Sequence, residues 1–350
     1  MKSGKRQLPG NVTLQNVANE AGVSVGSVSA VLSNRHVKRR ISLITVEKVR
    51  AVAAKLGYLP NIGARRLRRV GGGDRPIVAF VTSYGSPFNV ANQFMHTLRH
   101  AVADDEPGAF SLMIEMFSPG RLRDLPGLLT GDRFNAAIIA NTTPEDDMYL
   151  ARTHLTYPVI MVNRTIPSYT SVLEDPRAGA LAAEVFVRGK KRSRLAVLHG
   201  DPLTQTTLIR VDSFVANSAA LLGETAHVIA ADELTELGAF KAMSRFLSTG
   251  KRIDALYAVT DRMALGAYHA IKRAKLRIPD DIAVIGAGDH EVSAFYDPPL
   301  SCVGVPRSRI GKEVNRLLMA RLCNPGRKAE HILLPVQTNL RRSTGDKSEF

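Results

Sequence analysis

Cysteine is nearly missing from this 350-residue chain, tryptophan is absent, and aromatic residues make up 6%. Cys302 and Cys323 are too few for a disulfide framework and lack metal-ligand spacing, which points to a reducing compartment. No H-E-x-x-H motif or Cys/His cluster occurs, so neither a metal nor a cofactor is expected. No apolar run reaches the length of a membrane span, and the basic start MKSGKRQLPG is not followed by the apolar stretch of a secretory signal. A cytoplasmic protein without a membrane partner is expected. After Arg342 the chain is polar and has no heptads, so 343–350 are expected to be a disordered tail.

Acidic residues are scarce at one end. In residues 1–75 only Glu20, Glu47 and Asp74 oppose 15 Lys and Arg, so +12 of the formal +15 lies in the first fifth of the chain. A basic head on a near-neutral body suits a polyanionic partner, and it is the head alone that meets it. At this length two or three compact units are expected.

Residues 21–34 read AGVSVGSVSAVLSN and contain Gly22-Val23-Ser24-Val25-Gly26, which fits the G-x-S-x-G elbow of serine hydrolases. That elbow needs a strand before its first glycine. Here the preceding stretch has helical periodicity: Thr13 caps, Leu14, Val17, Ala18 and Ala21 form the stripe, and Gly22 stops it. Ser24 restarts a helix through Ser33, and Ile41-Ser42 opens a third, with Gly57 as its stop. Small Ala18 and Gly22 at a tight crossing, with Val23 and Val28 filling the angle, fit helix-turn-helix, so no catalytic residue is assigned. Gly286-Ala287-Gly288 begins like a dinucleotide fingerprint, but Glu291 stands where its third small residue belongs.

Pro60 and Gly71–Gly73 bracket a short segment carrying Arg65, Arg66, Arg68 and Arg69, too short and too charged to fold by itself. From Ile77 the runs IVAFVTS, FSLMIEMF, NAAIIA, PVIMV, RLAVLH, DALYAV and DIAVIG read as buried parallel strands. Helical stretches at 176–188, 207–222, 235–249 and 261–274 alternate with them, which predicts an α/β body of two lobes.

The stretches VTLQNVANEAGVSVGSVSAVLSN and ISLITVEKVRAVAAKLGYLPNIGARRL resemble the DNA-binding headpiece and hinge of the lactose-repressor (LacI/GalR) family. SVLEDPRAGA, AVTDRMALGA and IPDDIAVIGAGD resemble blocks of that family's ligand-binding core. The resemblance implies an all-α helix-turn-helix headpiece at 11–59 and a hinge helix and linker at 60–75. A two-lobed core like periplasmic binding proteins follows at 76–342, with lobe one near 76–174 and 306–334 and lobe two near 175–305 and 335–342. It further implies a homodimeric, non-enzymatic transcriptional repressor that binds double-stranded operator DNA and answers to a small polar effector, a carbohydrate or derivative. Two other readings compete: an architectural DNA protein with a ligand-free core, and a ligand-sensing α/β protein tethered to nucleic acid.

By the same resemblance, DNA contact falls to Thr13 and Leu14 and to Ser24, Val25, Gly26, Ser27, Ser29 and Ala30 on the recognition helix; Asn34, Arg35, Lys38, Arg39 and Arg40 join them from the following loop, which is longer than the family's common pattern and whose cations suit phosphates. Asn61, Ala64, Arg65, Leu67 and Arg68 of the hinge complete the set. Val25, Gly26 and Ala30 cannot form the bidentate hydrogen bonds that distinguish bases, so readout by methyl contact and DNA shape is expected, with the arginines on phosphates. Ser83, Asn163, Arg210 and Thr260 match effector contacts. Asp261 and Asp289 either join them or organise their loops. Gly288 stands where a ligand-binding acid is usual, and Thr260 replaces a common Asn.

Overall fold

The computed structural model describes residues 13–32, 39–56, 75–84, 110–131, 133–324 and 327–347. Three helices open it: α1 (Leu14–Ala21), α2 (Val25–Leu32) and α3 (Leu43–Lys55). Thr13 accepts a hydrogen bond from the Asn16 N–H, and the Asn16 side chain accepts one from the Thr13 N–H at 2.8 Å, closing a capping box. Gly22 adopts φ 62°, the left-handed region, and ends α1. Ser24 then accepts from the Ser27 N–H at 3.0 Å and caps α2. A helix, not a strand, enters Gly22, so the hydrolase elbow has no framework here. Two of these helices are eight residues long, too short to persist alone. They are held by one core of Val17, Ala18, Ala21, Val28, Val31, Val46, Val49 and Ala53. The small side chains let the axes approach closely.

The body contains two six-stranded sheets. In chain order the strands are β1 (Ile77–Ser83), β2 (Ser111–Phe117), β3 (Ala136–Ala140), β4 (Val159–Val162), β5 (Thr170–Glu174), β6 (Leu195–Gly200), β7 (His227–Ala231), β8 (Ala255–Ala258), β9 (Ala283–Ala287), β10 (Ser301–Gly304), β11 (His331–Leu334) and β12 (Gln337–Asn339). The first sheet runs β11-β5-β4-β3-β1-β2 and is parallel throughout. The second runs β12-β10-β9-β8-β6-β7, with β12 antiparallel at its edge. The chain therefore passes between sheets three times, after β5, β10 and β11.

Central strands are apolar on both faces because both faces are covered. Val78 and Phe80 of β1 join Ile138, Ile160, Val314, Leu317 and Leu318 on one side of the first sheet, while Ala79 and Val81 join Leu122, Ile139, Leu150 and Met161 on the other. That is the two-residue strand period written into two cores. A third core surrounds the second sheet, with Phe214 stacked on Tyr257 at 5.1 Å.

Helices α4 (Pro144–Ala151), α5 (Ala178–Glu184), α6 (Gln205–Leu222), α7 (Glu236–Ser248), α8 (Asp261–Arg273) and α9 (Arg307–Cys323) cover the sheets. The helix expected at 176–188 breaks into α5 and a π-turn at 185–189. Five strands escape the periodicity reading: β5, β7, β10, β11 and β12. They are short, and several sit at sheet edges with one exposed face.

The expectation of a disordered 343–350 is corrected over its described part. Ser343 and Thr344 are buried. The Ser343 hydroxyl accepts from the Ser301 N–H at 2.8 Å and donates to the Val284 carbonyl at 2.6 Å, and Asp346 pairs with Lys190 at 2.8 Å. Ser343 here satisfies backbone groups of two neighbouring strands, β9 and β10, a role that composition does not reveal.

Candidate functional site

The head and the body each present a candidate surface. In the head, Thr13, Ser24 and Gly26 are exposed, and Leu14, Val25, Ser27 and Ser29 are half-buried. The first turn of α2 thus faces outward. Ala30 does not: it is 4% exposed, so the expectation that its methyl touches DNA is corrected. Arg39 and Arg40 are exposed. A methyl placed on Gly26 would lie 3.6 Å from Arg39 Nη1, so this guanidinium reaches over the outward end of α2. Asn34, Arg35, Lys38, Asn61, Ala64, Arg65, Leu67 and Arg68 lie outside the described residues.

In the body, a cavity of about 120 Å³ opens between the two sheets. Asn163, Arg210 and Thr260, which match effector contacts of the family, are among the residues that line it. Ser83 does not belong to its described wall; it is buried at the end of β1. Asp261 and Asp289 are also outside that wall, and both organise loops. Asp261, 1% exposed, accepts from the His290 N–H at 2.8 Å, the Ser293 hydroxyl at 2.9 Å and the Cys302 thiol at 3.4 Å. Burial, with that carboxylate beside it, pushes the Cys302 thiol well up and makes it a poor nucleophile. Asp289 pairs with Arg341 at 3.1 Å. Thr260 caps α8, accepting from the Met263 N–H at 3.2 Å.

The groups that dominate the cavity come from both lobes. Glu174, at the end of β5, holds Arg210 of α6 through two hydrogen bonds of 2.9 and 2.7 Å. Arg210 also donates to the Val259 carbonyl at 2.8 Å. Burial opposes its charge most, but the Glu174 carboxylate together with Tyr257 and Asp261 outweighs that, and the guanidinium is held above its ordinary range. Asn163, itself at φ 54°, accepts the Glu174 N–H at 2.9 Å and so positions the carboxylate. Behind it Arg164, 1% exposed, donates to Thr142 in the first lobe and at 2.9 Å to the Thr206 hydroxyl in the second. Burial brings Arg164 down to about 10, so it stays a cation at neutral pH.

Sequence reasoning missed Glu174, Arg164, Thr206 and His290. Glu174 lies within SVLEDPRAGA, but nothing local signals that its partner stands 36 residues onward. Gly288 gains a physical reason. Its φ is +125°, and a Cβ there would lie 3.3 Å from the His290 ring, so an acid at this position would strain the loop and crowd the side chain that now forms the wall. Among the described residues no group of three or more His, Cys, Asp or Glu is placed to hold a metal ion. No helix among them is long and apolar enough to cross a membrane.

Comparison with known proteins follows this division. Residues 13–61 match the family model described as bacterial regulatory proteins, lacI family, and residues 163–344 match the periplasmic binding protein-like domain. The chain belongs to the LacI family of bacterial regulators. It is 26% identical to the ribose operon repressor of Escherichia coli strain K12, over 92% of this chain and 96% of that one. It is equally identical to the HTH-type transcriptional repressor PurR of Haemophilus influenzae, over 89% and 91%, and to the HTH-type transcriptional regulator CelR of Thermobifida fusca, over 94% and 96%. Its fold resembles the lac repressor dimer bound to operator and the anti-inducer ONPF, with a TM-score of 0.68 at 23% identity over 96% of this chain and 99% of that chain. As a LacI-family member it is a DNA-binding transcriptional regulator and not an enzyme.

Proposed function

We propose that the chain is a cytoplasmic, homodimeric repressor whose operator affinity is set by a small carbohydrate or carbohydrate derivative in the cavity between the lobes. The observation that carries this reading is the cavity itself: its polar wall is shared by Glu174 and Asn163 from the first lobe and Arg210, Thr206 and His290 from the second. A ligand contacting both lobes binds one lobe angle better than another, and only such differential affinity can shift a conformational equilibrium. A relative named for the ribose operon supports a sugar, as do neighbouring structures determined with cellobiose and with bound ribose. A formed, partly polar cavity also speaks against a vestigial core.

Within this reading the outward end of α2 enters the major groove, Arg39 and Arg40 hold phosphates, and the hinge residues named above complete the contact. Asn163, Arg210 and Thr260 are the ligand contacts retained from the sequence. The test is genomic footprinting to find the operator, followed by gel shifts of that operator with a panel of neutral monosaccharides and disaccharides. One sugar that changes operator affinity several-fold is expected. Failure to bind any discrete genomic site would overturn the reading.

A further inference from the structure

We propose that Glu174 determines the class of effector: by filling the anion-recognising fork of Arg210 it excludes phosphate- and carboxylate-bearing compounds and leaves a subsite for an uncharged hydroxyl. The proposal rests on the ligand-regulated reading above and goes beyond it. An arginine at a ligand cavity ordinarily offers planar, bidentate recognition to a carboxylate or phosphate. Here that geometry is already taken from within the protein. Nε and Nη2 donate to the two Glu174 oxygens, and Nη1 donates to the Val259 carbonyl. Both charged side chains are below one-tenth exposed, so neither turns to solvent for compensation.

An entering anion would have to displace the carboxylate and strand it unpaired in the interior, the costly way to break a buried ion pair. The other cation in the wall gives no alternative, because Arg262 is held by both oxygens of Glu236. An ammonium group in turn would meet Arg210. A hydroxyl suits the pair. It accepts from one of the guanidinium N–H groups not used by Glu174 or Val259, and it donates to a remaining lone pair of Glu174. Because Glu174 belongs to the first sheet and Arg210 to a helix of the second lobe, such a hydroxyl touches both lobes through one pair.

The test uses the full chain and probes that do not require the natural effector. Inorganic phosphate is titrated into wild type, Glu174→Gln, and Glu174→Gln combined with Arg210→Gln, with thermal unfolding and calorimetry as readouts. Glucose and glucose 6-phosphate serve as a matched neutral and anionic pair. Wild type is expected to show no Arg210-dependent phosphate binding, judged against Arg210→Gln, whose basic head is unchanged. Glu174→Gln is expected to bind phosphate at least about tenfold more tightly than wild type, and the double variant to lose that gain. Arg210-dependent binding of phosphate or glucose 6-phosphate to wild type overturns the proposal, and so does an unchanged anion affinity in Glu174→Gln. Should that variant not fold, the wild-type comparison decides alone. Operator binding by wild type is measured separately, so failure of the regulator reading is distinguishable from failure of this one.

Discussion

At the scale of single residues, the two acids carried over from the family, Asp261 and Asp289, lie outside the cavity lining and bond within the protein. Asp261 is buried beneath the cavity, where it gathers the His290 N–H, the Ser293 hydroxyl and the Cys302 thiol. Asp261→Ala is therefore expected to lower stability by about 1.5–3 kcal/mol for each strong hydrogen bond it leaves unmade, seen as a lower urea midpoint. Unchanged unfolding with a lost response to ligand would instead make Asp261 a ligand contact. Local chemistry of this kind was only partly legible. Thr13 and Ser24 are legible as caps because a cap and its N–H are three residues apart. The clasp of Glu174 on Arg210 is not, because only folding brings those side chains together. Ala30 was misjudged for a related reason: its place in the helix is a local property, but its burial is not.

At the scale of elements, helix α2 and the loop that follows it define one surface. Arg39 lies over Gly26, at the end of α2 that faces outward. Arg39→Ala is expected to weaken binding to operator and random DNA alike and to reduce the salt slope by about one unit, as loss of a single phosphate contact does. Titrations at several salt concentrations measure this. Relaxed preference at one base pair would reassign Arg39 to reading that base past the missing side chain of Gly26. In the body, the contact of α7 with α8 depends on Gly266, where an added Cβ would stand 2.1 Å from the Glu236 carbonyl oxygen and 2.9 Å from the Ala239 methyl. Gly266→Ala is expected to force the helices apart at a cost of about 1–3 kcal/mol, read as a lower thermal midpoint. A neutral outcome would mean that the two helices slide without loss.

At the scale of the whole molecule, charge and core are segregated. The head carries nearly all of the excess positive charge and a core of its own, while the body has its own packed sheets. A fragment of residues 76–350 is accordingly expected to remain folded and dimeric, by analytical ultracentrifugation, and to show no operator binding in gel shifts. Retained operator binding by that fragment would place DNA contacts in the body and end the two-part account.

Helix-turn-helix, alternating strands and helices, and the uneven charge are properties of short windows: a helical stripe, a strand period, a count of arginines. Those windows suffice because hydrogen bonding and face burial act over a few residues, and they determined the family and the two-part architecture of this protein. What the windows could not contain was decided by packing. Strands such as Ser301–Gly304 and Gln337–Asn339 exist because neighbouring strands receive them. Ser343 and Thr344 are buried because they bond to Val284 and Ser301 of β9 and β10, and the character of the cavity follows from a carboxylate of one lobe meeting a guanidinium of the other. Each depends on partners distant in the chain, and the free energy of such a contact is defined only once the lobes have formed.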